Sequence, residues 1–126
     1  MKGSCLCGAV KFEADEPLRQ VVACHCTQCR KTSGHYWAAT SVPLDRFRLT
    51  EDAGLRWFQS SAAARRGFCA TCGSSLFWEP TGGTTMHIGA GTLDGASGLH
   101  IAEHWYVKDK GDYYDIDGTA VQHEAE

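Results

Sequence analysis

The chain is patterned in short apolar runs separated by turn residues, and several runs alternate with the period of two that marks a strand with one buried face. Ala9 to Ala14 alternates after a glycine and reads as a strand, and Gln20 to Ala23 is a short buried strand leading into a group of cysteines. Tyr36 to Val42 makes a third, stopped by Pro43, whose ring removes a backbone donor. Phe47–Thr50 and Leu55–Gln59 are expected to pair with each other around a turn at Glu51–Gly54. Gly67 to Trp78 has the form of a hairpin closed by a Cys-x-x-Cys knuckle, with Phe68, Leu76, Phe77 and Trp78 expected to anchor it in the core. Met86–Ala90 follows, then a glycine-rich loop, and the end of the chain carries two more apolar segments, Glu103–Val107 and Asp112–Ile116. Helix is expected only over Gln28–Ser33 and, briefly, Pro43–Phe47, and residues 122–126 are expected to fray. The expected fold class is therefore mainly β with little helix.

A chain of 126 residues fits one domain spanning 1–126. Its 43% hydrophobic and 21% charged residues exclude a disordered chain. A net charge of −3 without a basic stripe argues against a nucleic-acid partner. No segment approaches the roughly 18 consecutive apolar residues of a membrane span. Met1–Cys5 contains no apolar run, so no export signal is expected and a cytoplasmic location is.

Cysteine usage changes the picture most. Seven is an odd number, and the residues stand in tight groups at 5–7, 24–29 and 69–72. A secreted disulfide framework favours an even count and wider spacing, so metal ligation is the better reading. In Cys69-Ala70-Thr71-Cys72-Gly73 a tight turn brings two sulfurs onto one cation, and the glycine after it takes positive φ at little cost. A closed zinc site needs four ligands at about 2.3 Å, and Cys5 and Cys7, again followed by a glycine, suit the other half. Such a clamp replaces core that a small β domain lacks, because its binding energy is folding energy.

Cys24, Cys26 and Cys29 remain, with no cysteine left as a fourth. Zinc on three protein ligands keeps an exchangeable position, the usual arrangement of a catalytic site. A fourth ligand from a His or carboxylate, or no stable metal, stays open, and so do swapped pairings among the seven. Three thiolates on a divalent ion leave about one negative charge, which blunts its power over water and favours a soft sulfur ligand instead. A bound thiol is deprotonated outright, so activation of a thiol toward a small electrophile is the chemistry that fits.

Gly3-Ser4-Cys5-Leu6-Cys7-Gly8-Ala9-Val10, Cys24-His25-Cys26-Thr27-Gln28-Cys29-Arg30-Lys31 with Ser33-Gly34, and Phe68-Cys69-Ala70-Thr71-Cys72-Gly73-Ser74 together resemble the glutathione-dependent formaldehyde-activating enzyme family, which also contains centromere protein V. Ile88–Asp94 and His104-Trp105 fit it too. The resemblance implies an Mss4-like, zinc-stabilised β-sheet domain. It also implies structural zinc at Cys5, Cys7, Cys69 and Cys72 and catalytic zinc at Cys24, Cys26 and Cys29. The implied activity is of the carbon–sulfur lyase type: reversible addition of glutathione to a small aldehyde such as formaldehyde. The alternative is a non-catalytic zinc-stabilised β scaffold that binds a protein partner.

Arg30 and Lys31 follow the last ligand of the second group and are candidates for holding the carboxylates of a glutathione-like thiol, against a solvated pair on a short helix. His25, between two ligands on an extended segment, should point away from the metal and take a hydrogen-bonded structural role. His35 is read as a pocket-mouth or packing residue, and His100 and His104 are given no metal. Arg65 and Arg66 read as surface, and Trp57, Trp78 and Trp105 as core.

Overall fold

A computed structural model of the chain describes residues 1–125. In chain order the first strands are β1 (Lys2–Ser4), β2 (Lys11–Ala14), β3 (Val21–Cys24), β4 (Trp37–Pro43) and β5 (Phe47–Glu51). There follow β6 (Leu55–Gln59), β7 (Ala64–Cys69), β8 (Ser75–Pro80), β9 (Thr85–Gly89), β10 (Ile101–Trp105) and β11 (Val121–Gln122). The helix α1 (Thr27–Ser33) and a 3-10 turn at Leu44–Arg46 match the two expected helical stretches. The mainly β fold class with little helix is the one the sequence predicts. Contacts gather the chain into two compact units, residues 1–19 with 40–98, and residues 20–39 with those from 99 onward.

In the first unit β1, β2 and β5 form one antiparallel sheet, and β9, β8, β7 and β6 are neighbours in that order. Their shared core is small and aromatic. Phe12 meets Phe77 edge-on at 5.3 Å and Phe47 at 5.7 Å, with Val10, Leu76 and Ile88 fully enclosed and Cys5 and Cys69 in the same cluster. The expected β5–β6 hairpin does not form: β5 pairs with β2, and β6 pairs with β7. The backbone of Gly54, at the turn between them, is engaged elsewhere, donating to Ala9 O and accepting from Ala70 N–H. A hairpin turn there would forfeit both bonds.

The β7–β8 hairpin does form around the knuckle, but not every expected anchor points inward. Leu76 and Phe77 are buried, whereas Phe68 is exposed, since strand alternation that turns Cys69 inward turns its neighbour out. Arg66 is buried rather than on the surface, because the register sets it between Phe58 and Trp78 on one sheet face. Arg65 lies outward, 3.8 Å over the Trp57 ring and paired to Glu79. Trp57, Trp78 and Trp105 are half-buried, and the buried tryptophan is Trp37.

In the second unit β3 pairs antiparallel with the start of β4, Cys24 opposite Trp37, and α1 makes the connection between them. On its other side β3 takes β10 in parallel, with His104 opposite Ala23 and Trp105 opposite Cys24. The expected fraying is not seen at Gln122, which with Val121 forms β11 beside β10, nor at His123, which donates its N–H to His104 O. Glu126 lies outside the described residues. Asp112–Ile116 forms no strand; Lys110 instead ties this segment down through Nζ bonds to Gly111 O and Tyr114 O.

Candidate metal centres and the histidine–tyrosine cluster

The first unit brings Cys5, Cys7, Cys69 and Cys72 together, every sulfur within 4.8 Å of the others. Both halves use one device. Gly8 (φ 84°) and Gly73 (φ 80°) stand in the left-handed region just after the second cysteine of each pair, folding the chain back without a Cβ clash. Cys5 N–H then donates to Val10 O and Val10 N–H to Cys5 Sγ, while Gly73 N–H donates to Cys69 O. The Sγ–Sγ separations are 3.7 Å for Cys5–Cys7 and 3.8 Å for Cys7–Cys69. A disulfide would need about 2.05 Å, whereas four sulfurs set tetrahedrally at about 2.3 Å from one ion stand about 3.8 Å apart. The thiols therefore fit a tetrathiolate ion such as zinc. Hydrogen bonds from the Ser74 hydroxyl and Cys7 N–H hold the Cys72 thiol down to about 5, and Cys72 N–H draws Cys69 below its ordinary value. Both shifts favour the thiolates that a metal requires.

Backbone closes tightly over this site. A Cβ on Gly54 would sit 2.9 Å from Cys69 Sγ and 2.8 Å from Ala9 Cβ. With both backbone bonds of Gly54 fixed, Gly54→Ala is expected to cost about 1–3 kcal/mol and lower the melting temperature by about 5–10 °C. Thermal denaturation followed by circular dichroism checks this; an unchanged melting temperature would mean that the knuckle gives way freely.

The second unit gathers Cys24, Cys26 and Cys29, again with all sulfurs within 4.8 Å, and among the described residues no fourth His, Cys, Asp or Glu joins them. Cys26 caps α1, its Sγ accepting Cys29 N–H at 3.3 Å, so the helix start and the thiol cluster are one structure. The helix ends at Gly34 (φ 86°), whose N–H bonds Arg30 O. Within the cluster the Cys24 and Cys29 thiols hydrogen-bond to Cys26 and pull its value far below that of an ordinary thiol, while Cys24 is pushed up. Cys26 thus ionises before Cys24. The set suits a soft divalent ion with one position left over.

Arg30 is half-buried directly after Cys29, and its Nε is enclosed without a hydrogen-bond partner. Lys31 is exposed. His25 is fully buried, with Nδ1 bonded to the Tyr114 hydroxyl and Nε2 2.9 Å from His104 Nδ1. Burial, then the neighbouring His104, lowers the His25 value to about 4, and burial lowers His104, so both imidazoles are neutral at pH 7. His35 Nδ1 meets the Tyr113 hydroxyl at 2.5 Å, and the His35 ring lies tilted against Tyr36 with centroids 4.2 Å apart. A cavity of about 310 Å³ is lined by His25, Tyr36, His104, Tyr114 and the loop 115–120, and not by Arg30 or Lys31. His100 is exposed. Sequence reasoning does not find the two tyrosines; their only signal is an aromatic doublet in what reads as an ordinary apolar run.

Residues 1–109 match the family described as "Glutathione-dependent formaldehyde-activating enzyme". A Schizosaccharomyces pombe protein named as an uncharacterized lyase is 30% identical over 116 residues, which span 91% of this chain and 84% of that protein. A Halomonas elongata protein named "Putative glutathione-dependent formaldehyde-activating enzyme" is 29% identical over 75% of this chain and 66% of its own length. A crystal structure of a Rhodobacter sphaeroides protein superposes with a TM-score of 0.65 at 28% identity, covering 76% of this chain and 90% of that one. With the match running over most of its length, the chain belongs to the glutathione-dependent formaldehyde-activating enzyme family.

Proposed function

We propose that the protein is a zinc-dependent enzyme of the carbon–sulfur lyase type, which activates a glutathione-like thiol for reversible addition to a small aldehyde such as formaldehyde. The observation that carries this is the group of three clustered thiols, Cys24, Cys26 and Cys29, with no fourth protein ligand among the described residues. These three residues would hold the catalytic ion, and Cys5, Cys7, Cys69 and Cys72 a structural one. When bound, zinc on three thiolates supplies one exchangeable position at which a thiol loses its proton near neutral pH. In the reaction the sulfur–carbon bond forms as the carbonyl π bond breaks, and the proton lost by the thiol ends on the new hydroxyl, so no oxidant or reductant is needed.

Arg30 supports the reading from the side of substrate binding. An enclosed guanidinium N–H without a partner is costly unless an anion meets it, and a carboxylate of the thiol substrate would do so. Lys31, exposed beside it, would add charge rather than a fixed contact. Glutathione at millimolar concentration is expected to raise the melting temperature of the zinc-loaded protein by preferential binding to the folded state. The shift should vanish once a chelator has emptied the second site. No thiol-dependent shift before chelation would favour the non-catalytic scaffold instead.

A further inference from the structure

Two of the three clustered thiols flank a single residue, His25, and the surroundings of that residue are built with unusual completeness. Its side chain has no exposed surface, and both ring nitrogens are engaged, Nδ1 by the Tyr114 hydroxyl and Nε2 by His104 Nδ1. Its backbone N–H donates to Trp105 O at 2.9 Å. The ring lies against Tyr36 and His104, each 5.1 Å away between centroids, and stacks on Tyr114 at 5.7 Å. An imidazole bonded at both ends and covered on its faces cannot turn or slide, and the peptide units joining it to Cys24 and Cys26 cannot either.

His104 reaches this place through the β3–β10 ladder, opposite Ala23. Tyr114 reaches it from a loop that Lys110 fastens by 3.0 and 2.6 Å bonds to Gly111 O and Tyr114 O, with Nζ 4.9 Å from the Tyr114 ring. Tyr114 lies beyond residues 1–109, where the family match ends, so this arm of the clamp is a feature of the chain outside the matched region.

We propose that Tyr114 and His104 are positioning residues for the second metal site: by gripping His25 at both ring nitrogens, they hold Cys24 and Cys26 at the spacing that takes the ion. The proposal rests on the reading that Cys24, Cys26 and Cys29 bind metal. Groups that orient metal ligands from outside the coordination sphere contribute about 10–100-fold to affinity, and here the orientation passes through the backbone of the Cys24–Cys26 segment.

The test uses the whole protein loaded with cobalt(II), whose thiolate charge-transfer bands report each site, with Cys26→Ser identifying the bands of the second. Competition with a chelator then gives an affinity for each site. Tyr114→Phe keeps the ring and removes only the hydroxyl; His104→Phe removes the other partner of His25. Each is expected to weaken the second site about 10–100-fold while the first site keeps its affinity. If His104→Phe does not fold, Tyr114→Phe decides alone. Second-site affinity in Tyr114→Phe within twofold of the parent overturns the proposal, as does an equal loss at both sites, which marks general destabilisation. A parent protein that binds no second cobalt overturns the underlying metal assignment instead, and the two failures are told apart by that one control.

Discussion

Cys69→Ser is expected to leave a chain without a cooperative thermal transition, whatever metal is supplied. Cys69 is fully enclosed in the core of the first unit, 62 residues along the chain from Cys7, and its sulfur lies 3.8 Å from that partner. Binding of a structural zinc by thiolates is worth about 10–16 kcal/mol at neutral pH, against a net stability of about 5–15 kcal/mol for a domain. Losing one of four ligands removes a large share of the former and exhausts the latter. Serine adds a buried hydroxyl where a bound metal would balance the charge of a thiolate. The same outcome should follow from a chelator strong enough to empty the site in the unaltered protein. Far-ultraviolet circular dichroism during heating reads both. A Cys69→Ser protein that melts cooperatively near the parent temperature would show that the rest of the core suffices.

The importance of Cys69 is legible in the sequence, because ligand spacing is a local property. Cys-x-Cys-Gly and Cys-x-x-Cys-Gly each specify a turn, and the left-handed Gly8 and Gly73 meet that specification. The β7–β8 hairpin follows from the same signal. Phe68 departs from expectation although the chain itself holds the answer: once Cys69 must face inward, alternation by two sends Phe68 out. Arg66 departs for a cross-strand reason, since Phe58 and Trp78 on the neighbouring strands cover it. The β5–β6 pairing fails for a different reason. Its turn signal is real, but the backbone of Gly54 serves Ala9 and Ala70, and no local pattern reveals a competitor that far along the chain. The His25–Tyr114 contact joins residues 89 apart and is likewise invisible to local patterns. What can be read at His25 is that its neighbours, as candidate ligands, turn its own ring the other way, toward a hydrogen-bonded structural role whose partners the sequence does not name.

The second large effect separates chemistry from folding. Cys26→Ser is expected to remain folded, to keep the first metal and to lose the second, with thiol–aldehyde addition falling at least about 100-fold, to the uncatalysed background. Folding survives because Cys26 is only half-exposed rim, not part of the enclosed set of Val21, Val22, Ala23 and Trp37. Serine is moreover a preferred helix cap, and its hydroxyl can accept the Cys29 N–H bond that Cys26 Sγ accepts now. What serine cannot supply is a third thiolate. Exchange-detected proton NMR of glutathione with formaldehyde measures the rate, since the uncatalysed reaction must be subtracted directly. A variant that keeps the parent rate would take Cys26 out of the chemistry; one that unfolds would move the second cluster into the structural class.

Both expectations descend from one claim, that seven cysteines make two metal sites of different completeness, one with four sulfurs and one with three. Zinc content per chain combined with X-ray absorption at the zinc edge tests it most directly. The account predicts two zinc ions per chain in the parent protein and one in Cys26→Ser. It further predicts coordination by sulfur alone in that variant and, in the parent, seven sulfurs shared by two ions, an average of about three and a half per ion, the difference being the exchangeable ligand. A single ion per chain in the parent, with Cys24, Cys26 and Cys29 reactive toward alkylation as free thiols, would contradict it.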